Sequence, residues 1–207
     1  MEGKYRIIAR KTWKRNVHCE IFRHALEPQY CISLELDITR FLHMVKEQGY
    51  SFTLAFIYAV CRCANEIEEF RYRFLRDEVV LYDEIHTSFT YLDRETELFK
   101  FVSAPMQDNM ESYIKTAMEL AKNQKEYFAA PPANDEFIFS ALPWISYTHI
   151  SHTISGNRAN AAPLFDWGKF LERDGKVILP FSVQVHHSFV DGIHVGQLVE
   201  RLQEFLK

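Results

Sequence analysis

A run of apolar and β-branched residues that ends in two histidines restricts the fold of this chain more than any other segment. The run covers residues 177–185 and leads directly into His186 and His187. Its residue types predict a β-strand, in which successive side chains point to opposite faces of a sheet. We therefore expect the odd-numbered positions 181–187, including His187, to share an apolar face, and His186 to face the other side.

This alternation predicts the protonation state of His187. An imidazole on an apolar face loses solvation, which lowers its pKa and keeps it neutral near pH 7. A neutral imidazole can accept a proton, which is what a general base requires. The pair alone is also compatible with a metal site or with two structural side chains.

Residues 186–192 read His-His-Ser-Phe-Val-Asp-Gly. This pattern resembles the His-His-x-x-x-Asp-Gly signature of the CoA-dependent acyltransferases related to chloramphenicol acetyltransferase, a signature that dihydrolipoyl acyltransferase cores and peptide-synthetase condensation domains also carry. Further blocks resemble the chloramphenicol acetyltransferase family in order and spacing, from about residue 13 to 206. They are Trp13-Lys14-Arg15, Phe22-Arg23-His24, Leu36-Asp37-Ile38-Thr39, Glu95-Thr96-Glu97-Leu98-Phe99 and Ser140-Ala141-Leu142-Pro143-Trp144.

The resemblance implies transfer of an acetyl group from acetyl-CoA to a hydroxyl. His187 would be the general base, and the Ser140 hydroxyl would donate a hydrogen bond to the oxyanion that forms. Asp191 would form a buried ion pair with Arg15 that shapes the site, rather than complete a catalytic triad. We expect Gly192 to allow a backbone geometry that a Cβ atom would hinder.

The resemblance also implies where the two substrates bind. CoA would pass Trp144, Lys169 and Phe170, and a mostly apolar pocket would hold the acceptor. The residues implied for that pocket are Phe22, Leu26, Tyr30, Thr90, Phe99, Phe101, Ile138, Ile150, His152, Ile154 and Leu164.

Several positions depart from the family pattern. Residues 51–53 read Ser-Phe-Thr where relatives often have Lys-Phe-Tyr. In the pocket, Phe101 replaces a small residue and His152 an apolar one. Asp166 stands in place of a threonine that helps to solvate the oxyanion, and a carboxylate there would oppose the developing charge unless it is protonated, paired or turned away.

Composition and length favour a single domain over residues 1–207, since no linker divides the 207 residues, and the resemblance implies that it is a CoA-dependent acyltransferase domain. The net charge of −4 gives no basic surface for nucleic acid. The N-terminus lacks a signal-peptide pattern, no apolar run is long enough to cross a membrane, and the four cysteines lack zinc-site spacing. We expect a cytoplasmic protein without a metal or a permanently bound cofactor, with acetyl-CoA as co-substrate. The resemblance implies a homotrimer with active sites between subunits.

Strands and helices mix without strict alternation, which predicts an α/β fold with a large mixed sheet. The resemblance implies a two-layer sandwich with the helices on one side. Among the elements, the pattern predicts helices over 51–70, 110–128 and 195–206, and a strand over 148–154.

Three functions are compatible with these residues. The leading one is an O-acetyltransferase with chloramphenicol as the most probable known acceptor and antibiotic resistance as its setting. A related acyltransferase for another small hydroxyl or amine is the second; its dihydrolipoyl version is weaker, because no lipoyl module precedes the core. The third is a noncatalytic binding protein that retains the fold.

Overall fold

Seven strands form one large mixed sheet in the computed structural model, which describes residues 3–152 and 157–207. They are β2 (Gln29–Asp37), β5 (His86–Asp93), β6 (Leu98–Ala104), β7 (Glu136–Leu142), β8 (Leu164–Gly168), β9 (Leu171–Arg173) and β10 (Lys176–His186). Their spatial order is β2-β10-β8-β7-β5-β6, with β9 also paired to β10. The β5–β7 and β7–β8 pairs are parallel and the others antiparallel.

A smaller sheet and six α-helices complete the described structure. The small sheet consists of β1 (Tyr5–Ile7), β3 (Tyr72–Leu75) and β4 (Glu78–Tyr82), in the order β1-β4-β3. The helices are α1 (Asn16–Arg23), α2 (Thr39–Glu47), α3 (Phe52–Asn65), α4 (Glu68–Arg71), α5 (Met110–Asn123) and α6 (Gly192–Phe205). None of these helices has the length and apolar character needed to span a bilayer.

One face of the large sheet packs against α3. The ring of Phe56 on α3 lies 5.1 Å from Trp167 of β8 and 5.7 Å from Phe181 of β10, centroid to centroid. Helices α5 and α6 pack on α3 in turn. This arrangement confirms the predicted α/β sandwich with a large mixed sheet and helices on one side.

The opposite face of the sheet, called the outer face below, carries a row of polar side chains among apolar ones. Because side chains alternate along a strand, Asp166 and Ser182 point away from α3 when Trp167 and Phe181 point toward it. Strand register places Ser33, Ser182, Asp166 and Ser140 in one row across four adjacent strands. The same alternation puts the following residues on the outer face: Cys31, Thr90, Phe99, Phe101, Ile138, Leu164 and Gln184.

The helix predicted over 51–70 is interrupted. It ends at Asn65, and the short α4 follows from Glu68. The Asn65 side chain donates hydrogen bonds to the carbonyls of Cys61 and Ile85 and accepts one from the Ile85 amide. An amide side chain satisfied in this way competes with continuation of the helix.

Two other predicted boundaries are also wrong. The helix predicted over 110–128 ends at Asn123, where Gln124 has an extended backbone and its side chain donates to the carbonyl of Phe101. The strand predicted over 148–154 is absent from residues 148–152, and residues 153 and 154 lie outside the described part of the chain. Residues 148–152 form a loop that lies over the outer face, where His152 contacts Asp166.

Candidate active site

His187 lies in the turn after β10, because the strand ends at His186. Its side chain is 36% exposed. The ring stacks on Phe22 with centroids 3.8 Å apart, and the ring of Tyr30 lies 4.8 Å away. The expectation that His187 would be buried in the apolar row of the strand is therefore wrong, since the alternation stops one residue earlier.

His186 is the buried histidine of the pair. Burial lowers its pKa to about 4. Its Nε2 donates to the carbonyl of Arg158 and its Nδ1 accepts from the amide of Ser188. With both ring nitrogens bound to main-chain groups, His186 is a neutral structural residue on the outer face.

Main-chain contacts hold His187 in its turn. Its amide donates to the carbonyl of Pro28 at 2.8 Å, and its own carbonyl accepts from Arg15 Nη2 at 3.0 Å. The ring nitrogen Nδ1 is buried and lies 3.0 Å from Oδ1 of Asp191. The two atoms are not aligned as a hydrogen bond, and Nδ1 has no hydrogen-bond partner in residues 3–152 and 157–207. Their contact is therefore electrostatic, and Nε2 lies on the ring edge away from it.

Arg15 clamps the segment after His187. Its guanidinium donates to both carboxylate oxygens of Asp191 at 2.6 Å and to the carbonyl of Ser188 at 2.8 Å. These bonds to Arg15 are the main cause of the lowered pKa of Asp191. The two side chains are 12% and 30% exposed, so the pair is only partly buried.

The expected role of Gly192 is wrong. A Cβ atom built at this position meets no heavy atom within 4 Å, and the backbone does not have the positive φ that favours glycine. Gly192 is the first residue of α6, where other residue types would fit equally well.

Ser140 lies near the end of β7 and lines a cavity of about 900 Å³. Trp144, Thr90 and Phe99 line the same cavity, as do Ser51 and Thr53 at the start of α3. It is large enough to hold part of a CoA molecule together with the group to be acetylated.

The other two residues expected near CoA lie beside this cavity. The amide of Lys169 donates to the carbonyl of Ile145, next to Trp144, at 2.7 Å. Phe170 packs edge-on against Phe52, between the cavity residues 51 and 53, with centroids 6.2 Å apart. Gly168 allows this approach, because a Cβ atom there would lie 2.7 Å from the carbonyl of Ile145.

Asp166 forms a buried pair with His152. The carboxyl is fully buried, and its Oδ2 lies 2.7 Å from Nε2 of His152. Desolvation raises the pKa of Asp166, and the hydrogen bond to Asp166 raises the pKa of His152. The other oxygen, Oδ1, has no partner among the described residues. Sequence reasoning singled out both residues but not their contact.

The predicted acceptor-pocket residues fall into two groups. Leu26, Tyr30 and His152 line a second cavity of about 240 Å³, and Phe22 stacks on His187 beside it. Around Ser140 the outer face carries Thr90, Phe99, Phe101, Ile138 and Leu164. Neither cavity is lined by Phe101 or Ile150, and Ile154 lies outside the described residues.

Sequence reasoning missed most of the residues that line the smaller cavity, among them Gln29, Cys31, His149 and Gln184. The alternation of β10 already placed Gln184 on the face opposite the core. The position of Gln184 at this cavity could therefore have been predicted from the sequence. The position of His149 could not, because His149 lies in a loop.

Ser140 and His187 are far apart in one chain. Ser140 is level with Ser182 in register, with one strand between them. His187 follows Ser182 by five residues, which corresponds to roughly 17 Å along the strand, and two strand spacings add roughly 10 Å across the sheet. The two residues are therefore on the order of 20 Å apart, too far to act on the same atom.

The sandwich fold, the histidine motif after its longest strand and the serine at a large cavity define a CoA-dependent acyltransferase. A model of the chloramphenicol acetyltransferase family matches residues 3–203. The chain belongs to that family and is an acetyl-CoA-dependent acetyltransferase.

Individual relatives agree with this assignment. Chloramphenicol acetyltransferase 3 of Escherichia coli is 30% identical over 199 residues, covering 94% of this chain and 93% of the relative. The enzyme of Bacillus pumilus is 32% identical over 197 residues, covering 93% and 90%. A solved chloramphenicol acetyltransferase superposes with a TM-score of 0.90 at 30% identity, covering 99% of this chain and 100% of the other. A probable dihydrolipoamide acetyltransferase from Listeria monocytogenes, at 15% identity and a TM-score of 0.69, shares the fold.

Proposed function

We propose that this protein acetylates a hydroxyl of chloramphenicol in a site built from two copies of the chain, with His187 of one copy facing Ser140 of the next. The observation that carries the proposal is the separation of these two residues. The base must reach the acceptor hydroxyl and the oxyanion donor must reach the thioester carbonyl that this hydroxyl attacks, so a distance on the order of 20 Å between them favours a site completed by a second copy.

Exposed apolar side chains lie around His187 and around Ser140, the two parts of the proposed site. Beside His187, α1 and the residues after it expose Val17, Ile21 and Leu26. Beside Ser140, Trp144 and Ile145 are exposed. Apolar surface of this kind is typical of protein interfaces. Because the two patches differ, a head-to-tail contact fits them, and such contacts close into rings. We propose a trimeric ring, as the family resemblance implies.

His187 and Ser140 have different roles in the reaction. Nε2 of His187 takes the proton of the acceptor hydroxyl while its oxygen attacks the thioester carbon of acetyl-CoA. The carbonyl oxygen becomes an oxyanion, which accepts a hydrogen bond from the Ser140 hydroxyl. The intermediate collapses to the acetyl ester, the C–S bond breaks, and the thiolate of CoA takes the proton back from His187. General-base catalysis contributes about 10²–10⁴-fold and one oxyanion donor about 10²–10³-fold.

Arg15 and Asp191 position the base in this scheme. Arg15 holds the carbonyl of His187 as well as the Asp191 carboxylate. The negative charge of Asp191 near Nδ1 stabilises the imidazolium that forms when His187 takes the proton.

One observation favours a different acceptor in the same reaction. The buried His152–Asp166 pair puts polar groups where the family resemblance predicts an apolar residue and a threonine. A small polar hydroxyl or amine compound is therefore the second candidate. The pairing also weakens the argument for a noncatalytic protein, because His152 compensates the charge of Asp166 beside Ser140.

Release of CoA, measured with a thiol reagent across a panel of acceptors, tests the activity. We expect CoA release that depends on the acceptor and is fastest with chloramphenicol or a related small alcohol. Binding of acetyl-CoA without release for any acceptor would contradict catalysis.

Mixing two inactive variants tests the shared site. Chains with His187→Ala and chains with Ser140→Ala are mixed under denaturing conditions and refolded together. If sites form between copies, about one quarter of the interfaces in a random ring contain an intact pair, and activity returns to that extent. Refolding each variant alone is the control. Recovery no greater than the sum of the two controls would place both residues of a site in one chain.

A further inference from the structure

One side of the smaller cavity is formed by a polar side chain that is held in place by a buried carboxylate. His152 lines it with a side chain that is 20% exposed, and the buried Asp166 carboxylate holds the ring from behind through Nε2. Because Nε2 is occupied by Asp166, Nδ1 is the ring nitrogen that remains for a hydrogen bond to a molecule in the cavity. The volume of about 240 Å³ is sufficient for a substituent of the acceptor.

The protonation state of the pair follows from its surroundings. A fully buried carboxylate beside a neutral imidazole would leave one uncompensated charge in the interior, and one proton held by the pair removes it. Whether that proton lies on Nε2 or on the carboxyl, Nδ1 carries a hydrogen. The hydrogen bond to Asp166 accordingly raises the pKa of His152. Protonated His152 carries a hydrogen on Nδ1 and is a hydrogen-bond donor.

The other charged groups around the cavity add no net charge that would oppose protonation of His152. Arg158 and Glu27 have opposite charges, and His149 is the other imidazole. Tyr30 and Cys31 complete the titratable lining; burial raises the pKa of both, so they are neutral. Tyr147, which interacts with Asp166 from the same loop, is neutral for the same reason.

We propose that His152 selects the acceptor by donating a hydrogen bond from Nδ1 to an oxygen atom that the acceptor carries away from its reacting hydroxyl, such as a carbonyl or carboxylate oxygen. This inference rests on the proposed function in one respect: the cavity must be part of the acceptor site. Asp166 is a positioning residue, since it acts only through His152.

Matched acceptors test this selection. Each pair shares the reacting hydroxyl and differs in one group, a carbonyl or carboxylate in one member and a methylene or methyl in the other. The variant is the double replacement His152→Leu with Asp166→Thr, which leaves no buried charge without a partner. His149→Leu is the control, because it removes an imidazole from the same cavity but leaves the pair intact.

We expect the double variant to lose roughly 10- to 100-fold of the preference for the oxygen-bearing member, through KM rather than kcat. This is the range for a hydrogen bond that involves a charged group. His149→Leu should keep the preference. An unchanged preference in the double variant would overturn the proposal.

Calorimetric binding of the same acceptors without acetyl-CoA separates this proposal from the proposed function. Affinity for the oxygen-bearing member should fall as pH rises through the pKa of His152, because the Nδ1 hydrogen is lost. Asp166→Asn should move that fall to lower pH. If selective binding is present but no acceptor is acetylated, the proposed function fails and this inference stands. If binding is the same with and without His152, this inference fails whatever the activity.

Discussion

His152 and Asp166 should contribute jointly to the free energy of unfolding, so that replacing either one alone costs more than its own contacts. His152→Leu would leave the fully buried Asp166 without its only hydrogen-bond partner among the described residues. Removing one member of a buried charged pair costs about 3–5 kcal/mol. Asp166→Thr leaves a histidine that is still 20% exposed, so about 1–3 kcal/mol is expected.

The double variant should cost less than the sum of the two single replacements. Leucine and threonine leave no stranded charge, so a loss of about 1 kcal/mol is expected, which with the single losses above corresponds to a coupling of about 3–7 kcal/mol. Urea unfolding at one fixed protein concentration measures these values, since association would otherwise change the apparent stability. His149→Leu is the control and should stay within about 0.5 kcal/mol of the parent. Losses that add up in the double variant would refute the coupling.

The pH dependence of the same measurement has a definite sign. The pKa of His152 and the pKa of Asp166 are both raised in the folded protein. A group with a raised pKa binds its proton more tightly when folded, so its contribution is present below the unfolded pKa and is lost as pH rises. The parent should therefore lose stability relative to the double variant as pH rises, first above about pH 3.9, the unfolded pKa of aspartate, and again above about pH 6.5, the unfolded pKa of histidine. A rise in relative stability over that range would contradict the assignment.

Four further predictions concern the catalytic residues and the assembly. His187→Ala should abolish acetyl transfer and leave the fold intact by circular dichroism, whereas His186→Ala should mainly lower the melting temperature; the reverse pattern would exchange their roles. Replacing Arg15 or Asp191 should lower melting temperature and activity together, and strictly additive losses in the double variant would show that they do not interact. Light scattering should give a mass of three times 24.5 kDa, and a fully active monomer would exclude a shared site. Phe101→Ala should raise kcat/KM for chloramphenicol, because Phe101 is adjacent to Thr90 of the Ser140 cavity; an unchanged value in a folded variant would place Phe101 away from the acceptor.

We expect the buried pair to affect turnover of chloramphenicol as well. The sequence alone predicts that His152→Leu improves kcat/KM for chloramphenicol. The structure shows that this single replacement strands Asp166, so we expect the improvement only when Asp166→Thr accompanies it.

The long strand and its faces could be predicted from residue types, because alternation is a local property. That prediction holds through His186 and fails at His187, since hydrogen bonding, not composition, ends the strand. The break after Asn65 depends on contacts with Ile85, twenty residues away. The His152–Asp166 contact joins a loop to a central strand, so no periodicity in the sequence could predict it.

The main-chain anchoring of His187 has a consequence for how acceptor preference can change. The main chain of His187 is held by Pro28 and Arg15 and its ring stacks on Phe22, whereas the residues that we propose for the acceptor site belong to the outer face and the loop over it. Substitutions on that face can accumulate without displacing the proton acceptor. Variant libraries confined to residues such as His152 and Phe101 should therefore give new substrate ranges while the chemical step is retained, and the same independence would let natural selection exchange one acceptor for another in few steps.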